Sequence, residues 1–438
     1  MVTPRTASIK RPRPRRRPLA ALALATLLFG AVDAGAVQPD ESATLVQGAE
    51  LAAAVCALAD ARLALMPAVA AAKLQSGQPV TDAAREASVI RSAGERADAV
   101  GLARAPVEAL FELQVRLARD LQESLHAHWR RDGYDAARPA ASLSGELRPR
   151  LDELTGALLQ ALYLAAPSLA TVDLQAVAAR ALPAPRWSAP SRAQFVATLS
   201  EMRLAGPRSP ARARAAGVLR IGTPADYAPF SALADGRLRG SDVALGMRLA
   251  AALGLRPVFI ASRWATLLDD LEADRFDIAL GGISVTDVRR SRAAFSLPLA
   301  RGGKTAIGRC RDRPTLRDWD AIDQPGVRVI ENVGGTNEAF VRRQLRHATV
   351  QLHPDNRTVF AELTDGRADV MFTDDTEVAL ASHRHPELCR LLPELYEPTD
   401  KSIMLPHDGL WTGAVDDWLR RALSDAVPAA LLQQYLQE

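Results

Sequence analysis

The stretch GVLRIGTPADYAPF, Gly217 to Phe230, is where the chain changes its period. Before it, apolar residues recur at three- and four-residue spacing. From Gly217 on they gather into short runs separated by helical segments. GVLRIGT, RPVFIAS and FDIALGGI read as strands, with ALGMRLAAALGL and WATLLDDLEADR as helices between them. GVRVIEN, ATVQLH and ADVMFTD repeat the pattern around NEAFVRRQLR and NRTVFAELTDGR. Strands alternating with helices predict a parallel α/β arrangement. A break near residue 310 predicts two lobes. Ligands of parallel sheets sit beyond the C-terminal strand ends. Thr223, Gly281 to Ser284, Gly334 to Glu338 and Thr373 to Asp375 fall there.

Working back toward the N-terminus, residues 45 to about 175 read as all-helical. VQGAELAAAVCALADARLALMPAVAAAKLQ runs without glycine until Gly77. Thr81 or Asp82 is a helix N-cap, and Pro106 sits in the first turn of a third helix. Residues 183–214 are rich in Pro, Ala and Arg and read as a linker with room for one short helix. Residues 1–36 have the form of an export signal: RPRPRRRP, an apolar run of about 14 residues, then Ala34-Gly35-Ala36. That run is shorter than the roughly 20 residues that span a bilayer. A soluble, exported protein with no other membrane segment is expected. The expected plan is thus a helical domain over 37–182, the linker, and an α/β domain over 215–438. Lobe 1 takes about 217–308 plus the C-terminal segment, and lobe 2 about 309–397.

Lys and Arg total 54 against 51 Asp and Glu, and several arginines lie in the signal, so nothing argues for nucleic acid. Export permits disulfides. Of three cysteines, Cys310 and Cys389 share the C-terminal half and are the expected pair, with Cys56 a buried small hydrophobe. No Cys, His or Asp cluster has metal-ligand spacing.

GVLRIGTPADYAPF, DRFDIALGGISVTDVRR, GGKTAI, GGTNEAF, HPDNRTVF, DGRADVMFTDDTE and HPELC resemble the extracytoplasmic amino-acid-binding proteins. They resemble more closely an enzymatic offshoot, the periplasmic cyclohexadienyl dehydratases, which act on prephenate or arogenate. Gly240-Ser241-Asp242 departs from the usual aromatic at its middle position. The resemblance implies that Arg289 grips a carboxylate, with Ser284, Thr336 and Asn337 donating further hydrogen bonds. Lys304 would anchor a second carboxylate. Asp374 would hold a ligand amine, and Tyr227 and Trp264 would flank the ring or belong to the core. Glu338 is the expected general acid, although its place in a first helical turn favours the anion. Loss of the ring hydroxyl with CO2 requires no metal or organic cofactor.

Arg62 and Lys73 lie eleven residues apart on one helical face, and Lys73, Asp82, Arg85, Glu86 and Gln122 follow in order. Residues 50 to 130 thereby resemble the all-helical chorismate mutases of the secreted class. The resemblance implies that Arg62 and Arg85 clamp carboxylates and that Lys73 and Gln122 face the ether oxygen. Glu86 would accept from the ring hydroxyl, and Arg150 or Arg148 would supply a further cation. The fold class expected is multidomain: an all-α chorismate mutase domain, then a two-lobed α/β periplasmic-binding-protein-like domain. The implied function is bifunctional and periplasmic: chorismate to prephenate, then prephenate to phenylpyruvate, with arogenate as a second substrate. A homo-oligomer is the expected assembly. The competing expectation is an amino-acid-binding transport component carrying a helical dimerisation module.

Overall fold

The computed structural model describes residues 42–134, 140–184, 186–407 and 409–437. The export signal expected over 1–36 lies outside them.

A two-residue strand, β1 (Leu45–Val46), leads into the helices. Gln47 and Glu50 form a reciprocal capping box that starts α1 (Gly48–Ala64). The long apolar helix read from sequence is two, because Pro67 has no N–H and the ladder breaks at Leu65. The second, α2 (Met66–Ser76), stops at Gly77 in the left-handed conformation. Asp82 accepts from the Arg85 N–H and opens α3 (Ala83–Ala99). Then follow α4 (Arg104–Asp132) and α5 (Arg148–Ala165), which packs along α1. Residues 48–76 and 143–171 are each long and apolar enough to cross a membrane by composition. More than half of each is buried within the fold, so their apolar faces are spent on the bundle core.

The stretch expected as a linker is built into the bundle. After α6 (Leu174–Ala181) come α7 (Ala189–Ser200) and α8 (Pro210–Ala216). The Trp187 ring is fully buried and packs edge-on against Phe195, with centroids 5.1 Å apart. Its Nε1 donates to Asp60 at 3.0 Å, and Arg186 grips the same carboxylate with two hydrogen bonds. Proline at the first turn of both helices makes a good start, not a break.

Lobe 1 contains β2 (Val218–Thr223), the hairpin strands β3 (Asp226–Tyr227), β4 (Ser231–Ala234) and β5 (Arg237–Arg239), and α9 (Ser241–Ala252). It continues with β6 (Arg256–Ala261), α10 (Leu267–Glu272), β7 (Ile278–Ala279), α11 (Asp287–Arg290) and β8 (Ala294–Phe295). Strand β9 (Ala300–Arg309) crosses to lobe 2. There lie α12 (Trp319–Ile322), β10 (Arg328–Asn332), α13 (Thr336–Gln344), β11 (Thr349–His353) and α14 (Val359–Thr364). They are followed by β12 (Val370–Asp374), α15 (Asp375–Arg384), β13 (Leu388–Arg390) and β14 (Tyr396–Lys401). The chain returns through β15 (Met404–Leu405) to α16 (Leu410–Ser424) and α17 (Val427–Leu436). The sheet orders are β1-β6-β2-β7-β15-β8 in lobe 1 and β11-β10-β12-β9-β13 in lobe 2, with β14 also on β9.

From residue 43 the described chain therefore runs first along lobe 1, leaves to build the helical bundle, and returns. Leu45 and Val46 pair in parallel with Phe259 and Ile260, and Ala43 exchanges two backbone hydrogen bonds with Leu238. One continuous apolar core runs from Leu51 and Leu162 of the bundle to Val218, Ile260 and Phe276 of lobe 1. At its edge the fully buried Arg220 reaches Asp277 at 2.6 Å and Asp274 at 2.7 Å. Arg212 shares Asp274, and the Tyr163 ring of α5 lies 4.9 Å from the Arg220 guanidinium.

Cys310 and Cys389 are side by side but remain two free thiols, so the expected disulfide is not formed here. Burial and the neighbouring Cys310 push the Cys389 thiol up to about 11.

Candidate active sites

The helical bundle encloses a cavity of about 310 Å³. Arg62, Lys73, Arg85, Glu86 and Gln122 all line it, so four helices, α1 to α4, bring the sequence-predicted group together. Arg62 comes from the last turn of α1 and is buried, donating to Leu151 O at 2.9 Å and to the Thr155 hydroxyl. Burial, with Arg96 nearby, pulls its guanidinium down to about 10 against the Asp152 charge. Burial also lowers the Lys73 ammonium, which donates to Val80 O at 2.7 Å. Gln122 donates from Nε2 to Ala118 O and Met66 Sδ, while its Oε1 is buried without a partner. Glu86 accepts from Arg119 at 3.1 Å. Arg96, Arg119 and Arg148 add cations to the wall, outnumbering Asp82, Glu86 and Asp152. Arg150 is corrected: it pairs with Glu153 at 2.7 Å, its side chain 61% exposed, whereas Arg148 lines the cavity. A two-residue step along α5 turns the side chain through about half the helix.

The second site lies between the lobes, lined by Tyr227, Trp264, Ser284, Arg289, Asn332, Thr336, Asn337, Asn356, Asp374 and Lys401. Its cavity is only about 20 Å³, because side chains of the two lobes meet across it. The Tyr227 hydroxyl donates to Asp374, and Asn356 Nδ2 donates to Asp226 O at 3.0 Å. Glycine permits this closeness. Gly282, at φ +69°, holds the Tyr227 and Phe230 rings where a Cβ would stand 2.6 Å from them. Gly334, at φ +81°, lies similarly against Ala265.

Arg289 is buried beneath Trp264, with its guanidinium 5.7 Å from that ring, and donates to Ser284 O at 2.8 Å. Burial pulls it down to about 10, opposed by Asp374. No carboxylate is paired with it among the described residues, which leaves it free for an anionic ligand. Lys304 donates to Thr336 Oγ1 at 3.1 Å and to Asn337 Oδ1. Asp374 was expected to hold an amine, but two lysines already hold it: Lys401 at 2.6 Å and Lys304 at 3.5 Å. Burial raises the Asp374 carboxyl, and the two ammonium groups outweigh it, so it stays ionised.

Glu338 is not among the cleft-lining residues. Its carboxylate accepts from Gly334 N at 2.7 Å and pairs with Arg342 at 2.8 Å. The Gly334 N–H lowers its pKa most, and with Arg342 outweighs what burial it has. As placed it is a helix-capping anion, a charge state that does not suit the general-acid role expected of it. A different carboxyl has the required state. Glu377, in the first turn of α15, lies behind Asp374 and, like Glu338, is not among the cleft-lining residues; it is buried and accepts from the Thr373 hydroxyl. Burial, and after it the Asp374 charge, raise it to about 8 against that bond. Sequence reading missed Glu377, Lys401, Asn332 and Asn356. In the sequence the one signal was the closeness of Glu377 to Asp374.

The sequence profile of bacterial extracellular solute-binding proteins, family 3, matches residues 219–438. The chain belongs to that family. A second profile, chorismate mutase type II, matches residues 49–123, the helices that wall the bundle cavity. This family-3 protein is 41% identical over 223 residues to a cyclohexadienyl dehydratase of Pseudomonas aeruginosa, covering 50% of the chain and 83% of that relative. It is 28% identical over 159 residues to the L-cystine-binding protein TcyJ of Escherichia coli, covering 36% of the chain and 59% of the relative. Among solved structures it is similar to an ancestral amino acid-binding protein described as a precursor of cyclohexadienyl dehydratase. There the TM-score is 0.47 and the identity 26%, over 50% of this chain and 96% of that one. The architecture is therefore a helical chorismate mutase domain joined to a two-lobed α/β solute-binding domain.

Proposed function

We propose that the chain is a periplasmic bifunctional enzyme of phenylalanine formation, rearranging chorismate to prephenate and dehydrating prephenate to phenylpyruvate. The observation that carries the second step is a cleft rich in cations with the buried carboxyl of Glu377 directly behind its Asp374. Arg289, Lys304 and Lys401 stand against the single ionised carboxylate of Asp374, an excess of two positive charges. Prephenate is a dianion and matches that excess. Arogenate carries an ammonium as well, so it is the poorer match, and Asp374 is already neutralised by lysines.

The ring hydroxyl leaves as water only if protonated. Glu377 holds a proton at neutral pH; Glu338 does not. The cleft must widen to admit a ring, and parting Tyr227 from Asp374 uncovers the Asp374–Glu377 side of lobe 2. The proton passes from Glu377 to the hydroxyl oxygen, the carbon–oxygen bond breaks, and the electrons of the departing carboxylate close the aromatic ring. Such a donor contributes roughly 10²–10⁴-fold.

In the bundle, rearrangement needs no proton transfer. It needs a dianion held folded and positive charge facing the ether oxygen as negative charge develops there. Arg62, Arg85 and Arg148 supply the clamp, and Lys73 with Gln122 face the ether oxygen. Glu86, oriented by Arg119, accepts from the ring hydroxyl.

The test is purified chain with chorismate and no added cofactor, read for prephenate and phenylpyruvate. Phenylpyruvate is the expected product. Prephenate that accumulates and persists removes the dehydratase step, and prephenate bound but never consumed favours the solute-binder alternative. Arg85→Ala should lose the mutase activity alone. Glu377→Gln should lose dehydration by roughly 10²–10⁴-fold and leave the mutase intact.

A further inference from the structure

We propose that Gln114 is a substrate-contacting residue of the helical cavity, its carboxamide completing the cradle for the carboxylate that Arg62 attracts. The inference rests on the mutase reading and extends it to a residue that the spacing pattern did not include.

Gln114 lines the cavity from α4 and is 2% exposed. Neither its Oε1 nor its Nε2 has a hydrogen-bond partner. Water does not reach the amide, so both atoms carry the desolvation penalty of an unsatisfied buried group. Its neighbours along the same helix, Leu110, Leu113 and Leu117, are apolar and buried. A leucine would suit that setting better, unless something in the cavity meets the amide.

Arg62 supplies the complement. Its guanidinium carbon lies 4.9 Å from the Phe111 ring, one turn before Gln114 on α4. Its NH1 is spent on Leu151 O and Thr155, but its buried Nε has no partner. An unpartnered donor on Arg62 and an unpartnered acceptor on Gln114 therefore sit at the same level of the bundle. With a carboxylate drawn to Arg62, the amide turns toward the cavity: Gln114 Oε1 accepts from the Arg62 Nε–H, and Gln114 Nε2 donates to the ligand oxygen. This arrangement pairs the Arg62 Nε–H and both polar atoms of the Gln114 amide. It also makes Gln114 selective: a ligand lacking that carboxylate leaves the amide unmet.

The experiment is Gln114→Leu in the full chain, assayed beside wild type. A loss of about 10- to 100-fold in kcat/KM for chorismate is expected, mainly through KM, from a lost hydrogen bond to a charged group. Prephenate dehydration should stay at the wild-type rate, and the thermal midpoint should be equal or higher because the unsatisfied amide is gone. A merely structural glutamine would move the midpoint without moving KM. Should the leucine variant fail to fold, Gln114→Met is read the same way. Mutase kcat/KM within twofold of wild type in the folded variant overturns the assignment. If wild type itself fails to rearrange chorismate, the mutase reading falls and the Gln114 role with it.

Discussion

Glu338 and Glu377 show how two glutamates near one cleft are separated by surroundings. Each sits in the first turn of a helix in lobe 2. Glu338 is met by a backbone N–H and an arginine and stays ionised; Glu377 is buried beside another carboxylate and is raised to about 8. Glu338→Gln should therefore leave dehydration near the wild-type rate, measured as phenylpyruvate released from prephenate. Loss comparable with Glu377→Gln would restore Glu338 as the donor. The pH dependence follows from the same shift. Dehydration should fall as pH rises through about 8, where Glu377 loses its proton. For stability, the folded pKa is above the ordinary 4.5, so between these values the folded chain binds the extra proton. Stability contributed by this group is thus fully present below about 4.5 and is lost as pH rises toward 8. Urea midpoints of wild type and Glu377→Gln, compared across that window, should show the slope in wild type alone.

The helices of the mutase pocket were legible because their chemistry is local. Arg62 and Lys73, then Arg85 and Glu86, keep helical spacing, and each helix carries them to the cavity unaided. Gln114 was not legible, since a glutamine among leucines has no spacing signature. The 183–214 segment was misread for a related reason: proline, arginine and alanine dominate it, and its few apolar residues matter only through their partners. Trp187 is the clearest of these. Replacing it by alanine empties a fully buried indole site and removes one of the hydrogen bonds to Asp60, which should cost about 3–5 kcal/mol. Denaturant unfolding measures this. A change below about 1 kcal/mol, the size usual for exposed positions, would return the segment to a linker.

Across the whole molecule, bundle and lobe 1 share an apolar core, an edge strand and a buried ionic cluster, so they should unfold together. Asp277 lies at 0% exposure under Arg220. Asp277→Ala leaves that guanidinium buried with half its counter-charge and should cost about 3–5 kcal/mol. Both activities should then be lost in a single transition on heating. Mutase activity that survives well past the loss of dehydratase would show that the units melt separately.

By itself the sequence determined the two architectures, because hydrophobic period is a local property and changes at Gly217. It also placed the cations that line the bundle cavity and Arg289 in the cleft, whose spacing travels with helices and strand ends. Only the tertiary structure decided that Glu377 is buried while Glu338 caps a helix, that Lys401 returns to neutralise Asp374, and that residues 43–46 belong to lobe 1. Those outcomes depend on burial and on neighbours distant in the chain, and no local pattern records them.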